Sequence, residues 1–341
     1  MKIVPYTPDR FSRVAGVAAT APGARSLGHR PFVDYYYATR DWCRLYLAID
    51  RDERVAAVMG LEQLRFEYRG RPMVLGCASN FVALRAGAGG PLFLHWVRSS
   101  EYACVFGGSP DTHRIVQSQR WTYFHGIRVL RLNRPLLARP GEAPWRAAAK
   151  TLLRAVRPGV DIARRAAGAP GEVTVVEEAA IGPDMVPAST GFAFRLAPTV
   201  EYLNWRYDPA LSFVRYRLYR IVRDGTRGYV IVNERPDRIM VAQADADDPG
   251  TLAAGILAAV GCVAASGRRR REVVLSCAHP RMTATFRDVG FRADSEERPL
   301  AIGSVRRPVD LAPDTSAWLI NLDWIDNGLR APFLDQAASA P

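Results

Sequence analysis

The run Asn80-Phe81-Val82-Ala83-Leu84-Arg85-Ala86-Gly87-Ala88-Gly89-Gly90 leads directly into Pro91-Leu92-Phe93-Leu94-His95-Trp96. An apolar strand-like stretch gives way to a glycine cluster, and the cluster to a helix opened by proline. Glycines let backbone amides crowd together and approach a guest, and the free N–H groups of a helix N-terminus add positive potential. The natural guest is an anion such as a pyrophosphate, with Arg85 placed for a charge-assisted contact. A plain tight turn is the competing reading. No Gly-Lys-Ser/Thr completes a P-loop, and the elements before the cluster are not the βαβ succession of a dinucleotide fold.

Working outward, the spacing predicts a helix over Phe32 to Arg40 and strands over Arg44 to Asp50, Val55 to Tyr68 and Met73 to Leu84. After the cluster come a helix Pro91 to Ser99, a strand Ala103 to Phe106, a helix Asp111 to Gln119 and a strand Ile127 to Leu132. The same succession returns later. A helix Thr199 to Tyr207 precedes strands Phe213 to Arg223, Arg227 to Asn233 and Arg238 to Ala244, separated by the turn dipeptides Asp224-Gly225 and Pro236-Asp237. A helix Gly250 to Ser266, a strand Glu272 to Cys277, a helix Pro280 to Val289 and a strand Ala293 to Ile302 complete it. The chain reads as a tandem repeat with little residue identity between its halves.

Between the halves, Ala143 to Arg157 sets Trp145, Leu152, Leu153 and Val156 against Arg146, Lys150, Arg154 and Arg157, an amphipathic basic helix ended by Pro158-Gly159. It reads as a connector, with peripheral membrane contact the alternative. Ser316 to Leu329, rich in Trp and Ile, is expected to fold back as a lid or strand. The expected fold class is α+β: two units, each with a mixed, largely antiparallel central sheet flanked by helices, joined by the basic helical connector. The expected boundaries are 1–133, 134–190 (connector), 191–310 and 311–341 (C-terminal extension).

With 48% hydrophobic and 23% charged residues, the 341-residue chain has the composition of a globular protein. Thr251 to Gly267, the longest uncharged apolar run, is too short and too glycine-interrupted to span a bilayer, and Met1 to Asp9 has no signal-peptide core, so the expected location is cytoplasmic. Five dispersed cysteines without a C-x-x-C pair read as small buried hydrophobes. The five histidines have no metal-ligand spacing, and no metal is expected. The net charge of +12 comes almost wholly from arginine, since only Lys2 and Lys150 among the 46 basic residues are lysine. That field attracts anions of any kind. Without a helix-turn-helix, zinc-finger or aromatic-basic RNA motif, no nucleic-acid partner is expected.

At the glycine cluster the chain resembles the GNAT superfamily of acyl-CoA-dependent acyltransferases, whose signature is R-x-x-G-x-G/A between the fourth strand and the next helix. Arg85-Ala86-Gly87-Ala88-Gly89-Gly90 matches its first and last positions and places Ala88 where the central glycine is expected. A glycine-aromatic pair before the last strand, Gly290-Phe291, adds to the resemblance, with a degraded counterpart in Val116 to Trp121. Together the halves resemble tandem GNAT proteins. The resemblance implies transfer of an acetyl or other acyl group from acyl-CoA to the amine of a small molecule or sugar by direct attack. Cofactor contacts would come from Val82, Leu84, Arg85, Ala86, Gly87, Ala88, Gly89 and Gly90. An acyl carrier protein or a charged tRNA is the alternative donor, and an inert binding scaffold the alternative role.

The tyrosine that many members use to protonate the departing thiolate is replaced by Val116 and Phe286. Tyr123 and His125 are the expected substitutes. Glu62 shares a strand face with Val58, Leu64 and Phe66, where desolvation would suit a carboxylate to proton abstraction; pairing with an arginine is the alternative. Asn80 is a candidate to hydrogen-bond acceptor or thioester. In the second half the corresponding loop, Gln243 to Gly250, carries Asp245, Asp247 and Asp248, which cap a helix but repel phosphate. Cofactor binding is therefore assigned to the first half alone. Arg268 to Arg271 is read as charge at a helix C-terminus, and Tyr35-Tyr36-Tyr37 with Tyr202, Trp205 and Tyr207 as a cleft lining or as core.

Overall fold

The computed structural model describes residues 1–134, 143, 145, 162, 173–188, 190–266, 271–295, 297–324 and 333–337. Of the basic helix expected over Ala143 to Arg157, all but residues 143 and 145 lies outside the described residues, as do most of the connector 134–190, Arg268 to Arg270 and residues 325–329. In chain order the first strands are β1 (Lys2–Pro5), β2 (Cys43–Ile49), β3 (Val55–Tyr68), β4 (Arg71–Ala83), β5 (Tyr102–Phe106), β6 (Thr122–Phe124) and β7 (Arg128–Leu132). Then follow β8 (Thr174–Glu178), β9 (Phe194–Leu196), β10 (Tyr216–Val222), β11 (Gly228–Glu234), β12 (Arg238–Ala246), β13 (Glu272–Cys277), β14 (Arg292–Ala293) and β15 (Leu300–Gly303). The helices are α1 (Phe11–Thr20), α2 (Arg30–Ala38), α3 (Gly90–Ser99), α4 (Pro110–Ser118), α5 (Val200–Arg206), α6 (Pro249–Ala265), α7 (Pro280–Val289) and the single turn α8 (Leu334–Ala337).

The strands form two sheets. One runs β1-β2-β3-β4-β5-β15-β6, with β9 also paired to β3; the other runs β14-β7-β13-β12-β11-β10-β8. Read from β8, the second order matches the first position for position. In each sheet one internal pair is parallel, β4 with β5 and β12 with β13.

The expected boundaries at 133 and 191 need correction, because each half gives its last strand to the other sheet. β7 pairs with β13 from Leu132↔Val273 to Arg128↔Cys277, and β15 pairs with β5 from Leu300↔Phe106 to Gly303↔Ala103. The strand expected over Ala293 to Ile302 is accordingly two strands in two sheets. The intervening Asp294-Ser295-Glu296-Glu297-Arg298-Pro299 is too polar for a sheet interior, and Pro299 cannot donate to a ladder. Of its described residues, Asp294 N is bonded to Val129 O at 2.8 Å and Arg298 N to Ile127 O at 2.9 Å.

Alternation along the strands sorts their side chains onto two faces. In the first sheet, Met59, Leu61 and Val105 meet Leu92 and Trp96 of α3 and Val116 of α4. Val58, Leu64 and Phe66 face the other way, into a core shared with α1, α2, α5 and the inner face of the second sheet. α6 and α7 cover that sheet's outer face. Tyr36, Tyr37, Tyr202, Trp205 and Tyr207 are all buried, so the aromatic groups are core; Tyr35 Oη donates to Trp205 O at 2.7 Å and Tyr36 Oη to Arg206 O at 3.1 Å. Four cysteines are buried as expected, but Cys262 is exposed on α6. Arg271 closes the α6 C-terminus, donating to Val263 O at 2.7 Å and to Glu234 Oε1 at 2.7 Å.

Because β15 lies inside the first sheet and β7 inside the second, neither half can complete its own sheet. Fragments 1–172 and 173–341 produced separately are expected to lack a cooperative urea transition, and co-expression to restore one. A cooperative transition in isolated 1–172 would contradict the exchange as a folding requirement.

Candidate active site

The β4–β5 ladder ends at Cys77↔Cys104, yet β4 continues to Ala83. Near this parting β4 bulges: Val58 faces Val82 and Gly60 faces Ser79, so Asn80 and Phe81 together oppose Met59. Asn80 takes a left-handed φ of 46°, which asparagine tolerates better than most side chains. Its side chain is anchored, with Nδ2 donating to Tyr37 Oη at 2.9 Å and Oδ1 accepting from Ser26 Oγ at 2.9 Å. Past the parting, Ala78, Ser79, Phe81 and Val82 are only half-buried. Among the described residues no other segment pairs by backbone with this edge of β4. Two parallel strands thus diverge around an accessible row of peptide groups.

The glycine cluster sits at the mouth of this opening. Gly87 has a φ of 76°, which a side chain would strain. The turn is closed by Ala88 N to Arg85 O and Gly90 N to Gly87 O, both 3.2 Å. Among the described residues, no hydrogen bond engages the amides of Gly87, Gly89 or Leu92. The N-cap of α3 is Gly89, which has no side chain to cap with, so the dipole end faces outward. Ala88, the departure from the family signature, buries its methyl beside Leu92 and Trp96 and takes no part in the amide surface. Arg85 is held by Asp50, whose carboxyl lies below its usual range through hydrogen bonds from Arg54 N and Arg85. Its guanidinium is 57% exposed, so an arriving anion can still share it.

The corresponding opening in the second sheet is filled. β12 and β13 part after Met240↔Val274, and the segment Ile320 to Asp323 bridges them. The Asn321 side chain imitates a strand partner, accepting from Ala244 N at 3.0 Å and donating to Ala244 O at 3.2 Å. Asp323 N bonds Ala242 O at 3.2 Å, and Ser276 Oγ of β13 bonds Ile320 O at 2.9 Å. Val241 to Ala246 are buried throughout. The end of α6 is closed as well: Asp248 accepts from Gly250 N at 2.8 Å and Thr251 N at 2.9 Å. Burial raises the Asp248 carboxyl, but these bonds outweigh it and hold the group below its usual range. Only Asp248 caps the helix directly. Asp247 receives Arg227 N at 2.7 Å, and Asp245, expected in the loop, is inside β12 and paired with Arg195 at 2.7 Å.

No protein-family model matches the chain, and no curated protein matches it by sequence. Solved structures do match. A GCN5-related N-acetyltransferase from Anabaena variabilis superposes with a TM-score of 0.55 at 10% identity, over 88% of this chain and 72% of that one. An N-myristoyltransferase from Saccharomyces cerevisiae, solved with bound myristoyl-CoA, gives 0.53 at 10% identity, over 88% and 79%. The chain has the GNAT fold.

Within this GNAT fold the four expected catalytic residues are not gathered at one point. Glu62 is buried on the shared-core face of β3, where Oε1 accepts from Tyr202 Oη at 2.7 Å and Arg206 Nε at 3.2 Å. Arg206 also faces Asp323 at 3.5 Å and lies against the rings of Tyr36 and Tyr207. Burial alone would push its guanidinium down, but the Asp323 and Glu62 carboxylates more than reverse that. The expectation of Glu62 as a desolvated general base is therefore corrected: it is one member of a buried ion cluster. Asn80 is on the same face, committed to Tyr37 and Ser26. His125 is exposed and lies 3.7 Å from Glu297.

Tyr123 is on the opposite face with α3 and α4. Through β15 it is level with Val105 near the end of β5, since Ala301 pairs with both. Its hydroxyl lies 2.9 Å from His113 Nδ1, a residue that the sequence reading did not single out. Burial raises the Tyr123 phenol above its usual value. Among the described residues no group of three or more His, Cys, Asp or Glu is arranged to hold a metal ion.

Arg206→Met leaves two buried carboxylates without their cation and is expected to cost about 3–5 kcal/mol in urea denaturation. Glu62→Gln, which keeps an acceptor for Tyr202, is expected to cost less. Equal stability of Arg206→Met and the parent would contradict the cluster.

Proposed function

We propose that this protein transfers an acyl group from an acyl-CoA thioester to an amine of a small molecule or sugar, and that the transfer occurs at the first sheet alone. One observation carries the assignment. Two sheets of matching strand order each have a parting between parallel strands and a helix starting beside it, and only the first parting and the first helix end are open.

In this reading the amides of Gly87, Gly89 and Leu92, with the α3 dipole, hold the pyrophosphate, and Arg85 adds charge from the rim. The amide-bearing arm of the donor lies along the unpaired edge of β4, as an added strand would. This places the thioester where β4 and β5 separate. The acceptor amine attacks the thioester carbon directly, the tetrahedral adduct collapses, and the C–S bond breaks. Tyr123 gives its phenol proton to the departing sulfur. The enzyme contributes chiefly by holding donor and acceptor in register and by managing protons. The neighbours' names support an acyl-CoA donor, and the half-buried β4 edge supports a linear one. The closed second opening supports a single donor site per chain.

Calorimetric titration with acetyl-CoA, and with longer acyl-CoAs, tests this reading. A Cβ at Gly89 would meet Phe81 and Ala83 only at ordinary contact distances of 3.4–3.5 Å, and its φ is −74°, so Gly89→Asp is accommodated sterically. It places a carboxylate on the α3 N-terminus, as Asp248 does on α6. Wild type is expected to bind one acyl-CoA and Gly89→Asp to bind roughly tenfold or more weakly. Unchanged binding in the variant would refute the site. Once an acceptor amine is in hand, Tyr123→Phe is expected to lower turnover about 10²–10⁴-fold with acyl-CoA affinity unchanged; wild-type turnover would remove Tyr123 from the mechanism.

A further inference from the structure

We propose that His113 is the positioning residue for Tyr123: its Nδ1–H donates to the phenol oxygen, turns the phenol proton toward the departing sulfur and stabilises the phenolate left behind. The inference rests on the acyl-CoA reading above and names how that site handles its proton.

His113 lies in the first turns of α4, a helix fixed by Ser109 Oγ accepting from Thr112 N at 3.2 Å. One turn on, Val116 is fully buried, so α4 itself presents no proton donor there. Tyr123 reaches His113 on α4 from β6. Ala301, between Tyr123 and Val105 in the sheet, is too small to block a ring leaning toward α4. The His113 and Tyr123 rings sit 5.8 Å apart between centroids, inclined by 44°. Besides the 2.9 Å contact with Nδ1, the hydroxyl donates to the His113 carbonyl oxygen at 3.4 Å.

The other ring nitrogen decides the tautomer. His113 Nε2 is buried and has no hydrogen-bond partner among the described residues. A bare lone pair there is less costly than an unpaired N–H. The proton therefore sits on Nδ1, and Nδ1 donates to Tyr123 Oη. The phenol proton is left with the long 3.4 Å contact to a carbonyl, weak enough to be surrendered to a better acceptor. The opposite tautomer would aim the phenol proton at the imidazole and withhold it from a ligand.

The surrounding charges are occupied elsewhere. Glu297 is engaged by Arg128 at 3.2 Å, by Gly126 N at 3.1 Å and by His125 at 3.7 Å. On α4, Asp111 and Arg114 pair with each other. Arg298 lies over the Phe106 ring at 4.6 Å, and His125 stacks 6.5 Å from Tyr123 with its side chain largely in solvent. The proton balance of the step is then complete. The amine nitrogen forms its bond to the acyl carbon, sulfur leaves with the electron pair and takes the Tyr123 proton, and the phenolate is held by His113 Nδ1–H. The ammonium proton passes to solvent, and solvent restores the phenol.

The test uses full-length protein with tyrosine labelled at the 13Cζ position, the Tyr123 signal being assigned from Tyr123→Phe. Without ligand, His113→Leu is expected to raise the Tyr123 ionisation by about one pKa unit, and His113→Asn, which can still donate, to restore it. The remaining tyrosine signals report whether each variant is folded. Coenzyme A, the thiol product, is then added and its binding followed by calorimetry. It is expected to shift the Tyr123 signal, whereas desulfo-coenzyme A binds without doing so. An unchanged Tyr123 ionisation in folded His113→Leu would overturn the proposal. So would coenzyme A binding that leaves the Tyr123 signal in place. Absence of coenzyme A binding in wild type would instead overturn the acyl-CoA reading itself.

Discussion

A single buried cation ties the molecule together. Arg206, at the end of α5, reaches Glu62 in the first sheet and Asp323 in the segment that bridges β12 and β13. All three side chains are almost wholly removed from water, so none can lose its partner cheaply. Such a cluster adds little net stability over well-packed apolar residues. What it fixes is register: with Asp323 held at Arg206, Asn321 falls beside Ala244, and the second opening is closed by the chain's own backbone and amide groups.

The exchange of last strands gives the two sheets a common fate. β7 lies inside the second sheet and β15 inside the first, so each sheet is completed by a strand from the other half. The partings nevertheless end differently for local chemical reasons. On one side glycine leaves a helix end uncapped and amides unpaired; on the other a carboxylate satisfies them. Free amides at a helix N-terminus attract an anion, whereas at the other helix the Asp248 carboxylate already occupies that end. Two similar scaffolds thus differ at one strand edge and one helix end while sharing a core.

Much of this was legible in the sequence. Alternation and turn residues located most of the strands and helices, and the contrast between Arg85-Ala86-Gly87-Ala88-Gly89-Gly90 and Asp245-Ala246-Asp247-Asp248 foretold the open and capped helix ends. Local pattern could not show which sheet a strand joins: Arg128-Val129-Leu130-Arg131-Leu132 is equally good in either, and only the complete topology assigns it. Glu62 was conspicuous as a carboxylate on an apolar face, but its partner is 144 residues away on a helix. The His113–Tyr123 contact joins a helix to a three-residue strand, across which no periodicity runs. Ala88 was expected among the cofactor contacts, and only the folded loop shows its methyl turned inward.

The central claim is that donor binding belongs to one opening and not the other. Hydrogen exchange followed by mass spectrometry, with and without saturating acetyl-CoA, tests it most directly. The account predicts slowed exchange across residues 78–92, the free β4 edge and the start of α3, and none across 241–252 of the second sheet. Slowed exchange at 241–252, or binding that leaves 78–92 unprotected, would contradict it.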